Sequence, residues 1–293
     1  MSFWKNYLPT IILLILLLIV FIGLLPTGKL SGENLPPLTV AHGSILIVIG
    51  LLAGLLGGLI GTGGCSVMLP AIHFWLGYPA TIAVGTTLFA VVFTAISGGY
   101  GHLIRKNLDV RTTLWVGISG IVGVIIGSYL FKLLTAHTAL LGLILGLAFL
   151  WPAIRMIWEG LLQTKKPQAM GDSIPGPAWG WAIMGLIIGI LTGVVGLGGG
   201  YALVPGFIYL FGAPVYITMG TSLATMIPLA VVGGGIKLVQ GFVALGAGLI
   251  LAAGTVVGAQ IGAAIIKKFK PTTLKLIFGL YFLYVSIKFI AAF

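Results

Sequence analysis

Two short stretches concentrate the residues able to handle a ligand: Gly61-Thr62-Gly63-Gly64-Cys65-Ser66 and Gly196-Leu197-Gly198-Gly199-Gly200-Tyr201. Both interrupt long apolar runs, and each is followed by a segment with an internal proline, Pro70 or Pro205. A helix beginning at such a break points unpaired N–H groups and its positive dipole end at whatever lies in front of it. Glycines let a ligand approach that backbone closely. The same physics holds phosphate or sulfate at helix N-termini, so the expected ligand is a small anion. Gly63, Gly64, Cys65 and Ser66, with Gly198, Gly199, Gly200 and Tyr201, are the expected dipolar cradle. Gly85-Thr86-Thr87 and Gly220-Thr221-Ser222 form a second recurring element, whose hydroxyls (Thr86, Thr87, Thr221, Ser222) are candidate oxyanion contacts. Their plainer role is to bond a carbonyl one turn back or to join helices.

The chemistry that is missing narrows the function. The four acidic residues, Glu33, Asp109, Glu159 and Asp172, fall in loops or at segment ends. Proton and cation carriers usually place carboxylates at the membrane midplane, so a cation substrate is disfavoured. There is no H-E-x-x-H, no G-x-G-D and no intramembrane carboxylate pair, so catalysis lacks its acids and bases and no enzyme is expected. Neither glycine stretch matches G-x-G-x-x-G, and no βαβ unit surrounds one, so a dinucleotide is not expected. The single cysteine, Cys65, excludes an intramolecular disulfide and a multi-cysteine metal site, and neither cofactor nor metal is implied. Cys65 corresponds to Gly200, so small size is the expected requirement there. His102 and Lys237 are candidate gating residues at the mouths of a pathway, with snorkelling to the interface as the plainer expectation. His73 is expected to be a packing histidine.

These groups need a frame that holds them inside a membrane. Of 293 residues, 59% are hydrophobic and 6% charged, against roughly a quarter charged in a soluble domain. The net charge of +11 comes from basic residues scattered at segment ends, with no stripe for nucleic acid. The chain is therefore read as an all-α membrane protein with the lipid bilayer as its partner. The apolar run near the N-terminus exceeds a signal-peptide core, and LPTGKLSG lacks a small-residue cleavage site, so a retained helix is expected there.

At a constant offset of 135 residues, GLLGGLIGTGGCSVMLP aligns with GILTGVVGLGGGYALVP, and GYPATIAVGTTL with GAPVYITMGTSL. Glycines and prolines stay in register without a gap as far as Gly127/Gly262, which marks an internal duplication. Membrane segments are expected at 43–61, 64–77, 79–103, 110–134 and 138–158, and again at 179–196, 199–211, 214–238, 243–266 and 272–291. The expected organisation is an N-terminal helix and loop (1–42), a first repeat (43–158), a polar linker (159–178) and a second repeat (179–293). About 9–11 membrane segments result, and the second segment of each repeat is too short to span, hence a half-helix. Gly50, Gly54 and Gly58, mirrored by Gly185, Gly189 and Gly193, are expected at close helix contacts, as are Gly123/Gly127 and Gly258/Gly262. Lys5, Arg105-Lys106-Arg111, Arg155-Lys165-Lys166 and Lys267-Lys268-Lys270 should face the cytoplasm. Five segments per repeat put all of these on one side, which makes the repeats antiparallel, an architecture common among transporters.

The paired G-x-G-G-x stretches with Pro70 and Pro205, the GTT and GTS elements, and Arg105-Lys106-Asn107-Leu108-Asp109 resemble the sulfite exporter TauE/SafE family. The resemblance covers about residues 43–291. It implies a plasma-membrane transporter of sulfite, sulfonates or related small sulfur-containing anions. Cys65 departs from the glycine usual there. The combined expectation is a secondary anion exporter working by alternating access, with an anion channel on the same inverted-repeat scaffold, or a transporter of another small organic anion, as the alternative.

Overall fold

The computed structural model describes residues 3–28, 30, 35–162, 171–265 and 271–291. Glu33 and the Lys165-Lys166 and Lys267-Lys268-Lys270 groups lie outside the described residues. Among the described residues every regular element is helical: α1 (Phe3–Leu24), α2 (Val40–Ile60), α3 (Cys65–Pro70), α4 (Ala80–Leu103), α5 (Val110–Leu134), α6 (Thr138–Leu162), α7 (Ala178–Val195), α8 (Gly200–Phe211), α9 (Val215–Val239), α10 (Leu245–Ile265) and α11 (Pro271–Ala291). Eight of them are long and apolar enough to cross a membrane, while Cys65–Trp75 and Gly200–Phe211 are shorter apolar helices.

The expected segment 64–77 divides in two. After α3, Ala71–Trp75 widen into a π-helical turn. Proline lacks an N–H and its ring crowds the carbonyl of the preceding turn, so the register shift begins at Pro70. α8 tolerates Pro205 without such a change.

Glycines set which helices touch. A β-carbon added to Gly54 would stand 2.6 Å from the Thr255 Cα, and one on Gly189 would stand 2.9 Å from the Gly120 Cα. Gly58 meets Ala259 as Gly193 meets Val124, and Gly50 meets Leu251 as Gly185 meets Val116. α2 thus lies flat along α10, and α7 along α5. Every partner is displaced by the same 135 residues, with first-half and second-half helices exchanged. Interfaces of this kind rely on close backbone approach, because lipid offers apolar side chains no incentive to leave it.

The centre is formed by α4 and α9, which pack together and occupy equivalent places in the two halves. Gly98 and Gly99 of α4 face Leu223 and Ala224, whereas Gly233 and Gly234 of α9 face Leu88 and Phe89. The two helices therefore run antiparallel. α6 and α11 pair on the periphery in the same sense, Gly146 against Ile290 and Gly279 against Ile157. α1 lies against α10 and exposes Leu18 and Ile19, as a lipid-facing helix does.

Gly54→Ala and Gly189→Ala are expected to reduce thermal stability strongly, because the new methyl meets backbone instead of a movable side chain. Gly235→Ala, with open space around its position in α9, should leave stability unchanged or raise it by up to about 1 kcal/mol. Unfolding of the three purified variants in detergent, followed by circular dichroism, checks this.

Candidate functional site

α2 and α7 end at glycines in the left-handed region, Gly61 (φ 80°) and Gly196 (φ 71°), whose N–H groups return to the carbonyls of Gly57 and Thr192. Gly63 (φ 72°) and Gly64 (φ 75°), then Gly198 (φ 68°) and Gly199 (φ 82°), repeat that conformation in both loops. Side chains rarely adopt it, so these positions favour glycine on backbone grounds alone. Gly64 and Gly199 are the N-caps of α3 and α8, and neither helix start has a side-chain cap.

The two loops meet. The Cys65 thiol donates to the Leu197 carbonyl of the opposite loop. In the reciprocal position, a β-carbon on Gly200 would stand 2.6 Å from the Thr62 Cα and 2.8 Å from the Gly61 carbonyl oxygen. There is no room for a side chain at Gly200, while Cys65 holds a small one in full burial. Val91 of α4 and Met226 of α9 pack between the loops, contacting Gly63 and Gly198. Both lie close to the midpoints of their helices, so the loops sit about 16–20 Å from the ends of those spans. Residues 61–66 and 192–200 are buried throughout. Nothing in the sequence marks Val91 and Met226 except that the 135-residue offset pairs them.

The GTT and GTS elements turn out to be joints. α4 ends with Lys106 in the left-handed region (φ 57°), with Asn107 N–H bonded to the His102 carbonyl and Lys106 N–H to that of Leu103. This is a Schellman closure. Gly241 and Phe242 repeat it after α9. Gly220 makes room for the Asn107 carbonyl, and Gly85 for that of Phe242. Thr221 Oγ1 accepts from Asp109 N–H (2.9 Å), and Thr86 Oγ1 accepts from Ala244 N–H (2.9 Å). Ser222 Oγ donates to the Gly61 carbonyl (2.8 Å), whereas Thr87 Oγ1 donates to Ala83 of its own helix (2.8 Å). Each hydroxyl has a protein partner, and Ser222 helps to place the first glycine loop. The Asp109 carboxylate caps α5 through Thr112 and accepts from Ile174 N–H (2.8 Å).

The expectation that His102 and Lys237 snorkel is corrected: both are fully buried. His102 Nε2 pairs with the Gly58 carbonyl (3.1 Å). Lys237 Nζ lies 3.1 Å over the Phe131 ring and has no hydrogen-bond partner among the described residues. His73 is a packing histidine, with Nδ1 2.8 Å from the Tyr78 carbonyl and its ring stacked on Phe289. A separate groove of about 460 Å³ runs between α6, α7 and α8, lined by Trp151, Ile183, Ile187 and Leu191 and reaching Tyr201. Its walls are apolar, so it suits hydrocarbon and offers little to an anion.

Thr86→Val and Thr221→Val each leave a buried backbone N–H without its acceptor. Each is expected to destabilise the protein by about 1–3 kcal/mol, read as a lower unfolding temperature in detergent.

Comparison with known proteins agrees with this architecture. Residues 46–289 match the family described as Sulfite exporter TauE/SafE. The chain is 27% identical over 252 residues to the probable membrane transporter protein YunE of Bacillus subtilis, covering 80% of this chain and 92% of that one. The probable membrane transporter protein YdhB of the same organism is 28% identical over 231 residues, 79% of this chain and 93% of that one. The probable membrane transporter protein MJ0441 of Methanocaldococcus jannaschii is 29% identical over 169 residues, 55% of this chain and 60% of that one. No solved structure matches. With a family match over most of its length and a fold of membrane-spanning helices around two glycine breaks, the chain belongs to the sulfite exporter TauE/SafE family of membrane transporters.

Proposed function

We propose that this membrane transporter carries a small sulfur-containing anion, sulfite or a sulfonate, by alternating access, with export as the working direction. The observation that carries the reading is the meeting of two uncapped helix starts, α3 and α8, beside Val91 and Met226 at the middle of α4 and α9. Each start presents roughly half a positive charge and N–H donors in a region without water. An anion between them is held by partial charges, which permits release better than a full ion pair would. Gly63, Gly64, Cys65 and Ser66 with Gly198, Gly199, Gly200 and Tyr201 form the cradle. Thr86, Thr87, Thr221 and Ser222 contribute by holding its frame and reach an anion when their protein bonds rearrange. His102 and Lys237 gate the two approaches. The sulfur chemistry of the anion rests on the family.

Two oppositely oriented repeats, 43–158 and 179–293, serve this mechanism, with residues 1–42 as an added helix and 159–178 as a cytoplasmic linker. The antiparallel pairing of α4 with α9 and of α6 with α11 supports that reading. Rocking the halves about the loops would expose one site to each side in turn. We place the protein in the plasma membrane with its N-terminus in the cytoplasm, from the distribution of basic residues. Burial of both loops on all sides favours a carrier over a channel.

Two measurements test this. Purified protein is titrated with sulfite, thiosulfate, sulfate, small sulfonates, carboxylates and monovalent cations; binding of sulfur oxyanions is expected, and binding of cations alone would refute the site. In liposomes, unlabelled substrate on the far side should stimulate flux, which a channel would not show. Gly64→Leu and Gly199→Leu should abolish transport while leaving the protein in the membrane.

A further inference from the structure

The two helix starts differ in the side chains around them. At the 135-residue offset, Ser66 corresponds to Tyr201, Gly57 to Thr192 and Cys65 to Gly200. On the α3 side the thiol of Cys65 is bonded to Leu197, and Gly57 has no space, since a β-carbon there would stand 2.6 Å from the Gly63 carbonyl carbon. The α3 side keeps the Ser66 hydroxyl, whereas the α8 side carries two, those of Thr192 and Tyr201. Thr192 Oγ1 and Tyr201 Oη are buried without a hydrogen-bond partner among the described residues, at residues 0% and 6% exposed.

Thr192 lies in the last turn of α7, and its Oγ1 is 2.8 Å from where a β-carbon on Gly199 would stand. It therefore abuts the N-cap of α8, a helix of 12 residues. Helical hydroxyls ordinarily bond the carbonyl one turn back. Thr87, Thr94, Thr113 and Ser119 do so in this chain. Thr192 does not, although its own carbonyl is bonded by Gly196 N–H. Tyr201 is in the first turn of the same helix. A buried hydroxyl left without a partner destabilises a fold, so two of them at one helix start point to a ligand that is bound part of the time.

We propose that Thr192 and Tyr201 donate hydrogen bonds to the transported oxyanion, so that its oxygens are held chiefly on the α8 side of the cradle. This rests on the anion-transport reading and deepens it. The halves are then unequal partners: α3 and Cys65 brace the loop crossing, while α8, Thr192 and Tyr201 bind. The ligand class is an anion with at least two acceptor oxygens, as in sulfite or a sulfonate.

The test uses the full chain in detergent, with sulfite as probe, and reads thermal stability and sulfite affinity separately. Thr192→Val and Tyr201→Phe are expected to leave the sulfite-free protein as stable as the wild type or more so. Both should weaken sulfite binding about tenfold or more, as loss of a hydrogen bond to a charged acceptor does. Thr192→Ser should restore affinity. Ser97→Ala provides the contrast, because its hydroxyl bridges to the Val256 carbonyl (2.8 Å); it should lower stability and spare affinity. Unchanged sulfite affinity in both Thr192→Val and Tyr201→Phe would overturn the inference while leaving the transporter reading intact. So would a Thr192→Val protein that loses stability as Ser97→Ala does. A wild type that binds none of the anions would refute the underlying reading instead.

Discussion

A bilayer core offers no water to backbone N–H and C=O groups, and the fold of this transporter follows from how it meets that constraint at two places where the helix stops. The breaks at 61–64 and 196–199 strand polar backbone about halfway across α4 and α9. Part of it is satisfied by the protein. Gly61 N–H returns to Gly57 and Gly196 N–H to Thr192, the Gly61 carbonyl accepts from Ser222, and the Leu197 carbonyl accepts from Cys65. The starts of α3 and α8 have no side-chain cap, and the loops before them meet. In the proposed function these two starts are where the anion is held.

Holding two loops in register at that depth demands stiff surroundings, and the glycine pattern provides them. Contacts such as Gly54 on Thr255 and Gly189 on Gly120 bring helices of opposite halves to backbone distance. The Schellman turns after α4 and α9 then deliver Asn107 and Phe242 carbonyls onto Gly220 and Gly85, and the adjacent threonines cap the next helices. Each half closes the other's turn. Neither half can bury its own glycine face or pair its own turn alone, so the two fold as one body.

Within that shared frame the halves have diverged in chemistry. Cys65 fills a space that Gly200 lacks, Ser222 reaches across to Gly61 while Thr87 turns back on its own helix, and His102 finds a carbonyl where Lys237 lies over the Phe131 ring. Burial of a lysine whose Nζ lies over an aromatic ring and has no hydrogen-bond partner among the described residues is energetically unfavourable compared with an apolar side chain of similar size. Ionisable residues inside membranes generally mark functional positions, and the gating role proposed for Lys237 accords with that rule.

The amino-acid sequence by itself determined the class of protein and its internal duplication, because apolar composition and glycine register are linear properties. It also determined the half-helix α8 to within a residue, 199–211 expected against 200–211 observed, because glycine and proline act on their own backbone. The packing glycines and the packing role of His73 were legible for the same local reasons. The partners were not. That Thr86 and Thr221 cap helices of the opposite half, that Lys237 is enclosed instead of snorkelling, and that Val91 and Met226 separate the loops depend on contacts between residues more than 100 positions apart. A hydroxyl on a helix has the same pattern whether it bonds its own carbonyl, a neighbouring helix or a ligand. Only the tertiary structure gives Thr87 a carbonyl and leaves Thr192 without a partner among the described residues, the difference on which the ligand role proposed for Thr192 rests.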